Sequence, residues 1–316
     1  MAVGSPTSPR FRQARFASAL ERTGLGALLR RAGAWRGLLV LTYHRIGDAG
    51  SSPLDHDLFS ATAGAFERQV AHLAREMDVV GLDDVPSALR ARRGRRVLVT
   101  FDDGYRDAYD VAFPILRAAG LPAVFFLATG YLDRPRLSWW DELAWMGAGP
   151  ADVAAYKRLG PADAEAFLER AGARTGRGRA PVGAADGVWM TWDMAREMRD
   201  AGMAFGGHTV DHPVLARLPT EQQEQQIRGC AARLAAELGV PMRAFSYPVG
   251  GPEAFDDTAR RLVGEAGCEL AFALGGGRAR PGVADPLAIP RMTVGEWLSV
   301  EQVMAATALP QLFARW

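Results

Sequence analysis

Short apolar runs recur along this chain, and stretches with helical spacing of apolar positions lie between them. The runs at 38–43, 79–80, 97–101, 123–128, 203–205, 243–246, 270–274 and 287–289 predict strands. Helices are predicted at 65–76, 107–119, 193–201, 220–238 and 256–265. The fourth helix opens with capping-box spacing, Thr220 followed three residues on by Gln223, and stops at Gly239. Strand–helix alternation of this kind argues for a parallel sheet. Seven or eight repeats over roughly 270 residues favour a (β/α) barrel over an open sheet, and catalytic groups in such barrels sit at the carboxyl ends of the strands.

Two segments fall outside this rhythm. Residues 131–188 are longer than an ordinary barrel connection and read as a helical insert, a length that in compact domains goes with function or with lack of order. Its Trp139, Trp140 and Trp145 supply either a stacking wall for a sugar or the insert's own small core. Residues 1–37 form a basic segment ahead of the barrel at 38–316. Within it, 11–35 predict an amphipathic helix with Phe16, Leu20, Leu25 and Leu28 toward one side. Such a helix either lies on an anionic membrane surface or packs on the domain's own flank.

Composition permits a barrel and adds little else. At 316 residues and 48% hydrophobic content, the chain can bury a full core as one large domain or one domain with an insertion. A net charge of +1 gives no global field that calls for nucleic acid. The charge is uneven, because residues 1–36 carry seven arginines and a single acid, Glu21. Lys157 is the only lysine, which reads as base composition rather than chemistry. Cys230 and Cys268 suggest no disulfide framework and suit a reducing compartment. The first 36 residues are interrupted by arginine throughout, so no secretory signal is visible, and 38–43 is too short to span a bilayer. The expected location is cytoplasmic, or peripheral at the inner face of the membrane.

Three short pieces carry the chemistry: Thr-Phe-Asp-Asp-Gly at 100–104, His-Thr-Val-Asp-His at 208–212, and Phe-Ser-Tyr-Pro-Val-Gly at 245–250. One carboxylate and two neutral imidazoles make a facial set of three ligands that leaves positions open on a divalent ion, the mark of a catalytic site. Neighbouring residues at a strand end point in different directions, so one of Asp102 and Asp103 can bind the ion while the other reaches the water it activates. Alone, Asp-Asp-Gly is a common surface turn. The histidine pair decides the matter: His208 and His212 are spaced to face the same way on one helical turn, which Pro213 would keep short. Gly206 and Gly207 let the backbone bend close to the site. A mixed nitrogen–oxygen set accepts zinc, cobalt, nickel or manganese.

These three elements resemble those of the polysaccharide deacetylases, the NodB-homology enzymes of carbohydrate esterase family four, over roughly residues 38–292. The resemblance implies a distorted (β/α)7–8 barrel and hydrolysis of the acetamide of N-acetylated sugars, in a polysaccharide, an oligosaccharide or a lipid-linked sugar. Matched residue by residue, Asp102 is the general base, and Asp103, His208 and His212 hold a divalent metal, most often zinc. Val249 offers a backbone N–H to the oxyanion, flanked by Tyr247 and Pro248 in the substrate-binding element. Two positions depart from the pattern. Ser246 stands where an arginine normally braces the base, and no histidine follows His212. The run 38–43 leading into His44 supplies the missing acid-bearing strand at the other end of the chain, as in the rearranged branch similar to poly-N-acetylglucosamine deacetylases. His44 is then the general acid that an amine leaving group needs, ahead of His56 and His72, and Arg291 is the candidate brace. The alternatives are a metal amidohydrolase or O-acetyl esterase with another substrate, or a catalytically silent carbohydrate-binding barrel.

Overall fold

The structure, a computed structural model, describes residues 9–33 and 35–314. Seven parallel strands form a closed barrel: β1 (Leu38–Tyr43), β2 (Arg96–Phe101), β3 (Val124–Leu127), β4 (Ala204–Gly207), β5 (Ala244–Ser246), β6 (Leu270–Leu274) and β7 (Ile289–Thr293). Neighbours follow chain order from β1 to β7, and β1 closes the ring by pairing with both β2 and β7. The run at 79–80 becomes Asp78–Val79, which lies beside the start of β2 outside the ring.

Helices cover the outside, so strands are buried on both faces and read as unbroken apolar runs. Alternate residues still divide cleanly. Leu38, Val40, Leu98, Val124, Phe126, Leu270, Phe272 and Ile289 fill the barrel interior. Leu39, Leu41, Val97, Val99, Phe125, Leu127 and Ala271 pack outward beneath the helices. Continuing the inward series one layer toward the carboxyl ends reaches Thr42, Thr100, Asp102, Ser246 and Arg291, a polar layer that is also buried.

Several elements differ from the sequence expectation for identifiable reasons. The last strand is Ile289–Thr293 rather than 287–289, so Arg291 sits within it rather than after it. Pro290 and a charged residue make that stretch unlike a strand by pattern. The helix expected at 107–119 is π-wound over Ala108–Ala112 and α-helical over Phe113–Ala118, because Pro114 has no N–H to continue the regular ladder. The helix Thr220–Leu238 ends at Gly239 in the left-handed region, but its start carries no side-chain cap; Gln223 instead donates to the Leu218 carbonyl. The single N-terminal helix is two, Pro9–Arg22 and Leu25–Arg31, broken at Gly24 with φ 74°. Its apolar residues do not share one side. Ala17 and Leu20 pack on the helix Val300–Ala308, whereas Phe16, Leu25 and Leu28 are exposed.

The insert forms helices Trp139–Trp145, Pro150–Tyr156 and Pro161–Thr175 around its own apolar cluster, with Tyr105, Leu143, Leu168 and Trp189 in it. Arg179 ties the glycine-rich tail down through Glu142, Glu165 and Glu169. Both cysteines are free and buried. No helix among the described residues is long and apolar enough to cross a membrane.

Candidate active site

The register of β1 on β2, Leu38 opposite Arg96 through Tyr43 opposite Phe101, brings His44 and Asp102 to one level just past their strands. The Asp102 N–H donates to the Tyr43 carbonyl at 3.0 Å, and the His208 N–H to the Leu127 carbonyl at 2.9 Å. Carboxylates from the end of β2 and imidazoles from the end of β4 therefore meet on the same rim. Both β4 glycines are needed for packing rather than for a bend. A Cβ on Gly206 would come within 2.6 Å of the Phe126 ring, and one on Gly207 within 2.3 Å of Met242 Sδ.

His208 and His212 do not lie on a turn of helix. The chain reverses between them with Thr209 at φ 67° and His212 at φ 54°, and the rings come to 4.6 Å between centroids. Thr209 Oγ1 accepts from the His212 N–H at 2.9 Å, and Gln226 Oε1 accepts from the N–H groups of Val210 and Asp211. Neither Thr209 nor Gln226 was marked by the sequence as a site residue. The only non-glycine residues with positive φ among those described are Asp103, Thr209, His212 and Val249. All four border this site, and a β-branched valine in that region is a strained conformer of the sort that clusters at functional sites.

Asp103 Oδ1 lies 3.3 Å from His208 Nε2 and 3.4 Å from His212 Nε2. The His208 Nδ1 donates to the Ser246 carbonyl at 2.6 Å, which leaves its Nε2 to offer a lone pair toward the carboxylate. Asp103 Oδ1 is buried with no hydrogen-bond donor, and so is His212 Nδ1 without a partner. Buried ligand atoms converging within 4.8 Å of one another are a set that a cation completes. Burial pushes His212 down to about 3, keeping it neutral as a ligand must be. Burial also opposes charge on His208, but Asp102 and Asp103 outweigh it and raise its pKa.

Asp102 is held differently. Arg291 Nη1 and Nη2 donate to its two oxygens at 2.8 and 2.7 Å, a bidentate clamp inside the barrel. Ser246 Oγ donates to Asp102 Oδ2 at 3.0 Å and accepts from Arg291 at 2.7 Å. Serine thus sits at the third-motif position within a triangle whose guanidinium comes from another strand. Burial favours the neutral acid, yet the Arg291 charge prevails and keeps Asp102 well below the usual carboxylate range.

A model of the polysaccharide deacetylase family matches residues 90–271. The chain belongs to the polysaccharide deacetylase family. Deacetylases of this kind are metal-dependent, and Asp103, His208 and His212 are the group among the described residues able to hold the ion. The chain is 29% identical over 114 residues to the poly-β-1,6-N-acetyl-D-glucosamine N-deacetylase of Escherichia coli K12, covering 34% of this chain and 16% of that protein. Among solved structures, the deacetylase PplD of Streptococcus pyogenes, in complex with acetate, superposes with a TM-score of 0.61 at 20% identity, over 84% of this chain and 97% of the other. IcaB from Ammonifex degensii gives 0.60 at 24%, over 87% and 97%. These structures share the deacetylase fold. His44 and Arg291 lie outside the matched segment, Asp102, Asp103, His208, His212 and Val249 within it.

The site opens into a pocket of about 200 Å³ lined by His44, both aspartates, both histidines and Val249. Tyr247 lines it too, although its hydroxyl is spent on the Leu287 carbonyl and its ring stacks on Phe255. Pro248 is buried behind the wall. Trp139 and Trp140 border the pocket but are 7% and 5% exposed, their rings packed on Tyr156 and on His212. Trp140 Nε1 donates to Tyr105 Oη, which donates in turn to Asp141, so a buried network backs the His212 ring. His56 bonds to the Ser52 carbonyl, and His72 is buried against Thr307, both away from the pocket.

Proposed function

We propose that this chain is a hydrolase that removes N-acetyl groups from an N-acetylhexosamine-containing saccharide. One observation carries the reading: a buried carboxylate–diimidazole set whose ligand atoms converge stands beside a second carboxylate clamped by Arg291, both at the floor of an open pocket. A divalent ion there, with zinc favoured by the two nitrogens and one oxygen, supplies Lewis-acid polarisation of the acetamide carbonyl and a lowered pKa for water.

The chain's own groups do the rest. Asp102, kept ionised by Arg291, takes the proton from the attacking water; its Oδ2 lies 3.9 Å from His208 Nε2, close to the ligands without bonding to them. The Val249 N–H has no acceptor among the described residues, and the left-handed backbone there supports its presentation to the developing oxyanion. His44 donates a proton to the departing nitrogen, because an amide nitrogen leaves poorly as an anion. Water and the acetamide become acetate and a free amine.

For a lipid-linked substrate the membrane is the meeting place. Exposed Phe16, Leu25 and Leu28 among exposed Arg12, Arg15, Arg22 and Arg31 support peripheral contact with an anionic bilayer. The test is acetate release from a panel of N-acetylated glycans and lipid-linked sugars by protein stripped with chelator and reloaded with single metals. Metal-dependent release is expected. Metal binding without release from any N-acetylated sugar would reject the substrate class, and release that ignores chelation would reject the site.

A further inference from the structure

Trp139 and Trp140 have their ring faces occupied, which leaves the pocket's one exposed indole unexplained. Trp297, on the loop after β7, lines the same pocket and is 47% exposed, whereas Trp35, Trp139, Trp140, Trp189 and Trp192 are all buried. Its position is set by a glycine. A Cβ on Gly295 would meet Trp297 Cη2 and Cζ3 at 2.1 Å and Cε3 at 2.3 Å, so the benzo ring lies flat against the Gly295 backbone. The loop beneath is tied at two points, Leu298 N–H to the Gly295 carbonyl at 2.8 Å and Glu296 N–H to the Phe59 carbonyl at 2.9 Å. An indole backed by main chain, half exposed and lining the pocket is a rigid platform.

Lys157 borders the same pocket from the end of the insert helix Pro150–Tyr156. It is the only lysine in the chain, and its ammonium is drawn by the Asp55 carboxylate across the pocket without a hydrogen bond among the described residues. Asp57 lines the rim as well. A partly buried ammonium that no side chain hydrogen-bonds keeps its donors for a ligand's oxygens. A flat apolar face together with ungrouped charges of both signs suits a pyranose ring, whose C–H face is apolar and whose hydroxyls both donate and accept.

We infer that Trp297, seated on Gly295, and Lys157 with Asp57 form a saccharide-ring subsite that positions the substrate over the reaction centre. This rests on the deacetylase reading, and it assigns sugar stacking to an indole outside the insert. Binding made equally in ground and transition states appears in KM rather than kcat.

The test compares an N-acetylated oligosaccharide with a small aryl acetate, which is too small to reach the rim. Trp297→Ala is expected to raise KM for the oligosaccharide about tenfold and to leave kcat nearly unchanged, so that the oligosaccharide loses far more kcat/KM than the aryl ester. Gly295→Ala keeps the indole but removes its seat. It should reproduce the effect and add nothing in a Trp297→Ala background, since the two act as one unit. Lys157→Met should raise KM by a smaller factor. Oligosaccharide titration of the metal-free protein should also change tryptophan fluorescence, and Trp297→Ala should abolish that change. Unaltered oligosaccharide KM in both Trp297→Ala and Gly295→Ala, with acetate release intact, overturns the subsite and leaves the deacetylase reading standing. Absence of acetate release in the wild type, with the Trp297-dependent fluorescence change present, keeps the subsite and overturns the reaction.

Discussion

Replacing Arg291 with methionine tests the centre of the site. The side chain is 0% exposed, Asp102 is 3% exposed, and two hydrogen bonds of 2.8 and 2.7 Å join them. Methionine fills much of the same volume and removes the guanidinium in contact with that carboxylate. Breaking one partner out of a buried pair costs about 3–5 kcal/mol, because the remaining charge is left in a low-dielectric interior. In the wild type Asp102 is depressed below its unfolded pKa, so its contribution is present at neutral pH and is lost only as strong acid is reached. In Arg291→Met the largest lowering influence on Asp102 is gone, and burial, opposed only by His208, His44 and the Ser246 hydroxyl, raises its pKa, so stability falls as pH rises. The gap between wild type and variant should therefore widen from pH 5 to pH 8. Urea unfolding at both pH values, at fixed metal concentration, reads this directly. Turnover should drop, with the acid limb of the rate profile moved to higher pH. The double variant Asp102→Asn with Arg291→Met removes both charges and should be more stable than Arg291→Met alone. A cost below about 1 kcal/mol at pH 8, or strictly additive single and double variants, would refute the clamp as the source of Asp102's charge.

Asp102→Asn should retain bound metal, because Asp103 and not Asp102 converges with the imidazoles, and should lose about 10²–10⁴-fold in rate; loss of metal content would exchange the two roles. His208→Ala and His212→Ala should each lower metal content measured after dialysis, and full occupancy in the double variant would overturn the ligand set. His44→Asn should cut amide hydrolysis strongly and an activated aryl ester much less, and equal losses on both would exclude protonation of the leaving group. His72 is pulled from 6.5 to about 4 by burial and by Arg30, so its neutral form is favoured by folding and about 3 kcal/mol is lost as pH falls from 6.5 to 4. His72→Gln should flatten that part of the stability–pH curve, and an unchanged curve would show that another group titrates.

Much of the barrel was legible because strands covered on both faces leave continuous apolar runs, and β1, β2 and β6 stand where those runs lie. The metal-ligand candidates were legible because their identities are local: two adjacent acids and two histidines within five residues. What sequence could not carry is conformational and long-range. Spacing suggested a helical turn for His208 and His212, yet left-handed Thr209 and His212, held by Gln226 from a distant helix, bring the rings together. Pro290 disguised the strand that carries Arg291. Trp297 gave no signal, since exposure and a glycine seat belong to the folded loop, and Lys157 looked like compositional accident. Leu20 was read on the same side as Phe16, Leu25 and Leu28, but the break at Gly24 and packing on Val300–Ala308 separate them.

The closing seam of the barrel has a consequence for how the protein is made. Leu41 pairs with Met292 and Thr42 with Thr293, residues of the first and last strands of the barrel. During synthesis β1 can pair with β2 early, but its other edge has no partner until β7 has left the ribosome. Until then β1 presents open backbone donors and acceptors on an apolar strand, a template for pairing with another nascent chain. Ring closure is also the step that delivers Arg291 to Asp102. The interval before it is when the acidic cluster is least balanced and the unfinished sheet most prone to aggregate. Slower elongation over the last strand, or crowding of nascent chains, should therefore reduce the yield of folded protein more than the same change over the insert.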